Sequence, residues 1–172
     1  MNSSAPAKGL PPVRLREVRE VDGAFLSELD GPEVKGEWDT YDDAPEEMLN
    51  GKNFNGGSRI VELPDGTPIG TVSWIQTPHG PNQRSLAWVI GIVLHPKHRG
   101  QGLGASAQRI LAEYLFQSSP ANRVEASTDI ENLAEQRSLA LAGFTSEGVR
   151  RGALWRRGEW HDQVIFSRLR ID

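Results

Sequence analysis

Leu94-His95-Pro96-Lys97-His98-Arg99-Gly100-Gln101-Gly102-Leu103-Gly104-Ala105 joins the most apolar run of the chain to a helical pattern. Upstream, Leu86-Ala87-Trp88-Val89-Ile90-Gly91-Ile92-Val93-Leu94 is almost continuously aliphatic, as a central strand buried on both faces requires. Gly91 in its middle predicts a bulge or a close backbone approach by a ligand. Downstream, Leu103, Ala107, Ile110, Leu111, Tyr114 and Leu115 recur at the spacing of one helix face. A buried strand thus runs through a glycine loop into a helix N-terminus. Free amides there attract anions, and glycines let a phosphate reach the backbone. Lys97, His98 and Arg99 add positive charge. A Walker loop is excluded because no Lys-Ser or Lys-Thr follows the glycines. A dinucleotide fingerprint fails too: Gly100, Gly102 and Gly104 are evenly spaced and lie past the chain's midpoint. Packing alone is the plainer account of such glycines, but it does not explain their basic flank.

Working outward, residues 1–12 read as a flexible tail and 13–172 as a single domain. Val13 to Val18 reads as a strand, and Asp22 as the cap of a short helix through Phe25, Leu26 and Leu29. A helical turn is expected at Pro45 to Leu49. Arg59–Leu63 and Ile69–Gln76 form two strands around the turn Pro64-Asp65-Gly66-Thr67. Arg123 to Asp129 alternates, with Val124, Ala126 and Thr128 predicted inward and Arg123, Glu125 and Ser127 outward. Asn132 to Ala142 is a helix stopped by Gly143. Phe144–Val149 and Val164–Leu169 are strands joined through a turn at Trp155–Trp160. Trp74, Trp88 and Trp155 are expected in the core. The order is strand, helix, three strands, helix, strand, helix, two strands.

The chain has 172 residues, 37% hydrophobic, 24% charged and without cysteine. That length suits one domain with a full core. The absent cysteine excludes a disulfide scaffold, a thiolate zinc site and a cysteine nucleophile. No apolar run reaches membrane-spanning length, and the start lacks a signal-peptide core, so a cytoplasmic protein with no membrane partner is expected. The net charge of −4 disfavours nucleic acid as a ligand. It hides a split. Residues 28–47 hold nine acids and one base, and the remainder has 18 bases against 14 acids.

The pattern Arg99-x-x-Gly102-x-Gly104 after an apolar strand resembles the acetyl-coenzyme A pyrophosphate loop of the GNAT superfamily of N-acetyltransferases. Asn132, Gly143-Phe144, Glu147-Gly148, Arg150 or Arg151, Gly158 and Asp162 are similar to its RimJ/RimL-like branch, which acetylates protein N-termini and other amines. The likeness covers roughly residues 84–170 by motif and 13–76 only by order of elements. It implies an α/β (α+β) fold: a mixed, mostly antiparallel sheet of six to seven strands flanked by about four helices. Strands 4 and 5 would splay into a V. It also implies acetyl-CoA as co-substrate, with no metal. Pantetheine would pair with backbone groups of Ile92 and Leu94, and the pyrophosphate would rest on the amides of Arg99, Gly100, Gln101, Gly102, Leu103 and Gly104. Val93 and Ala105 would also contact the cofactor. Asn132 would contact the pantetheine region and also cap its helix.

The implied chemistry is direct attack of a neutral amine on the thioester in a ternary complex, with the Ile92 N–H holding the carbonyl oxygen. Here the residues depart from the family. The tyrosine expected seven residues after the Asn is Leu139, the serine expected three residues after it is Glu135, and a frequent glutamate is Leu154. Glu125 and Glu135 are therefore the candidate acid–base residues, with surface glutamate as the simpler reading of each. Trp38, Asp39, Tyr41 and Asp42 interleave aromatics with carboxylates and suit a cationic acceptor, either a small amine or a peptide. A degenerate acyl-CoA-binding module is the alternative to an enzyme. Monomer and homodimer both fit. His79, His95, His98 and His161 lack metal-ligand spacing.

Overall fold

A computed structural model describes residues 9–35 and 56–172. Chain order is β1 (Arg14–Arg16), α1 (Gly23–Leu29), α2 (Pro32–Lys35), β2 (Gly56–Glu62), β3 (Pro68–Pro78), β4 (Leu86–Leu94), α3 (Leu103–Ser118), β5 (Arg123–Asp129), α4 (Leu133–Leu141), β6 (Thr145–Arg156) and β7 (Glu159–Leu169). The seven strands form one sheet in the order β1-β2-β3-β4-β5-β7-β6. Among the described residues only β4 and β5 pair in parallel.

That parallel contact decides the architecture. β3 and β4 stay in register from Gly70↔Leu94 to Pro78↔Leu86, whereas β4 and β5 pair only at Trp88↔Val124 and Val89↔Glu125. Beyond Val89 the two strands part, giving the predicted V. Gly91 does not bulge: the β3–β4 ladder runs through Ser73↔Gly91 without a shift. The irregularities lie instead at Val61/Glu62 and within β6. The opening is made by β5 leaving a straight β4.

The core fills one side of the sheet. Leu103, Ala107, Leu111 and Leu115 of α3 are buried with Val72, Trp88, Ile90, Val124, Ala126, Val164 and Phe166. Trp88 also donates its indole N–H to Ser119 Oγ at 2.8 Å, satisfying the one polar atom it buries. Tyr114, expected on the same face, is 38% exposed and lies edge-on to Trp74 at 5.8 Å.

Several expectations are revised by hydrogen bonding. β1 is shorter than Val13–Val18: it ends at Arg16, whose guanidinium bonds Glu62 and both oxygens of Asp22 at 2.7 Å. Asp22 therefore does not cap α1 with its side chain; it accepts instead from Arg16 and from the Arg19 N–H. The last two strands extend further than predicted and meet at Arg157 and Gly158, both with positive φ, the geometry of a two-residue hairpin. That extension puts Trp155 opposite Trp160, at 5.2 Å and 44% exposed, not in the core. The turn expected at Pro45–Leu49 lies outside the described residues.

The Arg16 guanidinium, followed by the Arg19 N–H, holds the Asp22 carboxyl at about 2, below its usual 3.8. A depressed carboxyl stabilises the fold fully above its ordinary value and loses that contribution as pH falls through the folded value. Asp22→Asn is expected to unfold at lower urea than the parent near neutrality. The difference should shrink below about pH 4 and vanish only below pH 2, as urea titrations across that range would report.

Candidate active site

The mouth of the V continues into the glycine loop. β4 ends at Leu94, a turn at Pro96–His98 follows, and α3 starts at Leu103. Gly100 (φ +72°) and Gly102 (φ +78°) adopt the left-handed conformation, so both are needed for the path of the loop. Gly104 serves a different end. A Cβ there would stand 3.1 Å from Ser138 Oγ, so the glycine allows α3 and α4 to cross closely.

The loop is braced from both sides. Arg99 donates from Nε to the Leu94 carbonyl at 2.8 Å and from Nη2 to the Val34 carbonyl of α2. Gln101 reaches the Lys97 carbonyl at 3.0 Å, and His95 Nε2 lies 3.1 Å from Glu28. The Arg99 side chain thus holds the loop's shape, and the residue's backbone N–H donates to the Pro96 carbonyl at 3.2 Å.

A cleft of about 670 Å³ lies between β4 and β5. Its β4 wall follows from ladder geometry. His95 N–H donates to the Ile69 carbonyl at 2.9 Å, which makes 69:95 a hydrogen-bonded pair. Alternation along the antiparallel ladder then makes 71:93 and 73:91 hydrogen-bonded pairs as well. Ile90, Ile92 and Leu94 consequently turn their amides and carbonyls away from β3. The Ile90 N–H closes the Val89↔Glu125 pair with β5, and the Ile90 carbonyl and both Ile92 groups face the cleft that β5 has vacated. The Leu94 carbonyl is the one taken by Arg99.

Of the residues singled out from sequence, Ile92, Val93, Leu94, Arg99, Gly100 and Gly102 line this cleft, and so do Gly104, Ala105, Asn132 and Glu135. Leu103 is in the core and Gln101 faces solvent. Asn132 caps α4 by accepting from the Glu135 N–H at 3.1 Å. The Glu135 carboxylate is bonded by the buried Gln108, which in turn accepts from Ser138 at 2.9 Å. Leu139 is fully buried, while Leu154 lines the cleft. Trp38, Asp39, Tyr41 and Asp42 lie outside the described residues.

Glu125 departs from its expected placement. It is 3% exposed instead of facing solvent, because β5 is covered on both faces. It lies outside the cleft lining, at the last β4–β5 pair. His79 Nε2 meets its Oε1 at 2.5 Å, and Arg123 donates to the same oxygen while bonding Glu147. Hydrogen bonds from Arg123 and Ser167 hold the Glu147 carboxyl at about 2.

The cleft also holds a group that sequence reasoning missed. Asp129 lines it, 3% exposed, with Arg156 Nη2 at 2.5 Å and the Glu131 N–H at 2.8 Å. His161 Nδ1 lies 3.0 Å from the same carboxylate. Asp129, Glu131 and His161 bring donor atoms within 4.8 Å of one another, but the Arg156 guanidinium already neutralises the central carboxylate. Nothing local in the sequence marks Arg156 as the most buried arginine of the β6–β7 hairpin.

A model of the acetyltransferase (GNAT) domain matches residues 13–145. The chain belongs to the GNAT acetyltransferase family. It is 34% identical over 113 residues to the probable N-acetyltransferase YjcK of Bacillus subtilis (strain 168), covering 66% of this chain and 61% of that protein. It is 26% identical over 78 residues to the uncharacterised N-acetyltransferase YnaD of the same strain, covering 45% of this chain and 46% of that one. The match thus spans less than two thirds of either curated relative. Among solved structures, Mycobacterium smegmatis RimJ in complex with CoA-disulfide superposes with a TM-score of 0.75 at 22% identity, over 94% of this chain and 83% of that one. Vibrio cholerae spermidine N-acetyltransferase in complex with CoA and spermine gives 0.76 at 19% identity, over 92% and 96%. These two structures share the GNAT fold, including the mixed sheet seen here.

Proposed function

We propose that the protein transfers an acetyl group from acetyl-CoA to a primary amine by direct attack in a ternary complex. One observation carries this reading: a strand edge that turns the Ile90 carbonyl and the Ile92 amide and carbonyl to the cleft runs straight into a glycine loop at a helix N-terminus. A pantetheine arm has amides and carbonyls to match that edge as an added strand would. Its pyrophosphate suits the amides from Gly100 to Ala105, where the helix dipole favours negative charge. Arg137 and Asn132 border the same cleft and complete its polar lining.

The Ile92 N–H is suited to hold the thioester oxygen as it gains charge, since it needs no reorganisation to do so. The ammonium form of the acceptor must first lose a proton. The amine lone pair then forms the C–N bond, the C–S bond breaks, and the thiolate takes the proton released by the new amide. Titration calorimetry should show acetyl-CoA binding, and thiol release against a panel of amines should show turnover. Binding without release from any amine would favour the acyl-CoA-binding module instead.

For the acceptor, the acidic composition of residues 28–47 supports a cation. Replacing Asp39, Asp42 and Asp43 together by Asn is expected to raise the acceptor KM roughly tenfold and leave the acetyl-CoA KM unchanged, from about 0.5 kcal/mol per charge. Raising salt should weaken the parent in the same direction. An acceptor KM indifferent to both treatments would detach this segment from recognition.

A further inference from the structure

Glu125 stands at the vertex of the V, because Val89↔Glu125 is the last pair before β4 and β5 separate. Trp88, Ile90, Val124 and Ala126 face the core against α3, so strand alternation turns Glu125 to the opposite side of the sheet. The next residues on that side are Gly91 and Ser127, both lining the cleft. A glycine and a hydroxyl thus follow the vertex on that side of the two strands, between Glu125 and the level of Ile92.

Around the buried Glu125 carboxylate are four groups. His79 comes from the β3–β4 connector, Arg123 from β5, Glu147 from β6 and Ser167 from β7. Two carboxylates and one guanidinium leave a net negative charge, which a proton on His79 would balance. The His79 side chain is 47% exposed while that of Glu125 is 4% exposed, so the imidazole links the buried charge to water. Imidazole is the side chain that most often serves as a general base.

We propose that His79 is the terminal proton acceptor for the incoming ammonium and that Glu125 is its positioning residue. This rests on the acetyl-transfer reading above. The ammonium N–H bond breaks, and its proton passes through water in the V to His79, giving an imidazolium held by Glu125. The freed lone pair attacks the thioester, and His79 afterwards returns its proton to solvent. The Glu125–Arg123–Glu147 chain keeps the carboxylate aimed at the imidazole, as a third group orients a catalytic base in other constellations.

The test is the pH profile of amine-dependent thiol release for the parent, His79→Gln and Glu125→Gln. His79→Gln is expected to lower kcat about 100-fold, the usual worth of general-base catalysis, with an unchanged acetyl-CoA KM. It should also lose the acid limb of the profile and regain part of its rate with added imidazole. Glu125→Gln should keep an acid limb, displaced to another pH. A His79→Gln enzyme within twofold of the parent, with the same profile, overturns the assignment while leaving acetyl transfer intact. A parent that releases no thiol with any amine overturns both.

Discussion

Arg156→Met is expected to destabilise the fold by about 3–5 kcal/mol, the range for removing one partner of a buried ion pair. Arg156 is 1% exposed and Asp129 3%, with 2.5 Å between Nη2 and Oδ2. Methionine replaces most of the apolar stem, so the loss comes mainly from the Asp129 charge left in the interior. The double variant Arg156→Met/Asp129→Asn removes that charge and should recover at least half of the deficit. Thermal melting separates the outcomes, since the single variant should melt roughly 10 °C lower. A single variant within about 1 kcal/mol of the parent would show that Asp129 is relieved by His161 and the Glu131 N–H without the guanidinium. The pair joins the end of β5 to the β6–β7 hairpin, so the same measurement tests whether the hairpin supports the cleft's far wall.

Much of the fold was readable because its signals are local. The run from Leu86 to Leu94 is apolar enough to name a central strand, and the alternating glycines after it mark a helix N-terminus. Even the cleft-facing parity of Ile92 and Leu94 agrees with the ladder, once His95 N–H to Ile69 sets its phase. The misses are of another kind. Gly91 suggested a bulge, yet the opening of the V depends on where β5 stops pairing, which is a relation between residues 36 apart, Val89 and Glu125. Glu125 reads as a surface residue from alternation alone. Its burial comes from His79, 46 residues away, and from Glu147 held through Arg123. Asp129, Arg156 and His161 meet only when β5, β6 and β7 are assembled. Charged residues gathered across strands leave no periodic trace, so the chemistry-bearing face is the part least visible in sequence.

Gly102→Ala is the second large effect. A Cβ at φ +78° carries about 1–2 kcal/mol of backbone strain, and this one would also stand 3.2 Å from Pro11 Cδ. Pro11 cannot easily retreat, because its carbonyl accepts from Ser106 Oγ at 2.5 Å and ties the N-terminal segment to α3. Relief must come from the loop itself, whose amides are the proposed seat of the pyrophosphate. Acetyl-CoA affinity is expected to fall roughly tenfold or more, as 1.4 kcal/mol corresponds to tenfold. Gly66→Ala supplies the control: φ is +89° with nothing within 4 Å of the added carbon, in the β2–β3 turn away from the cleft. It should lose comparable stability and bind acetyl-CoA as the parent does. Equal losses of affinity in both variants would trace the effect to global destabilisation, and an unaffected Gly102→Ala would remove the loop from phosphate binding.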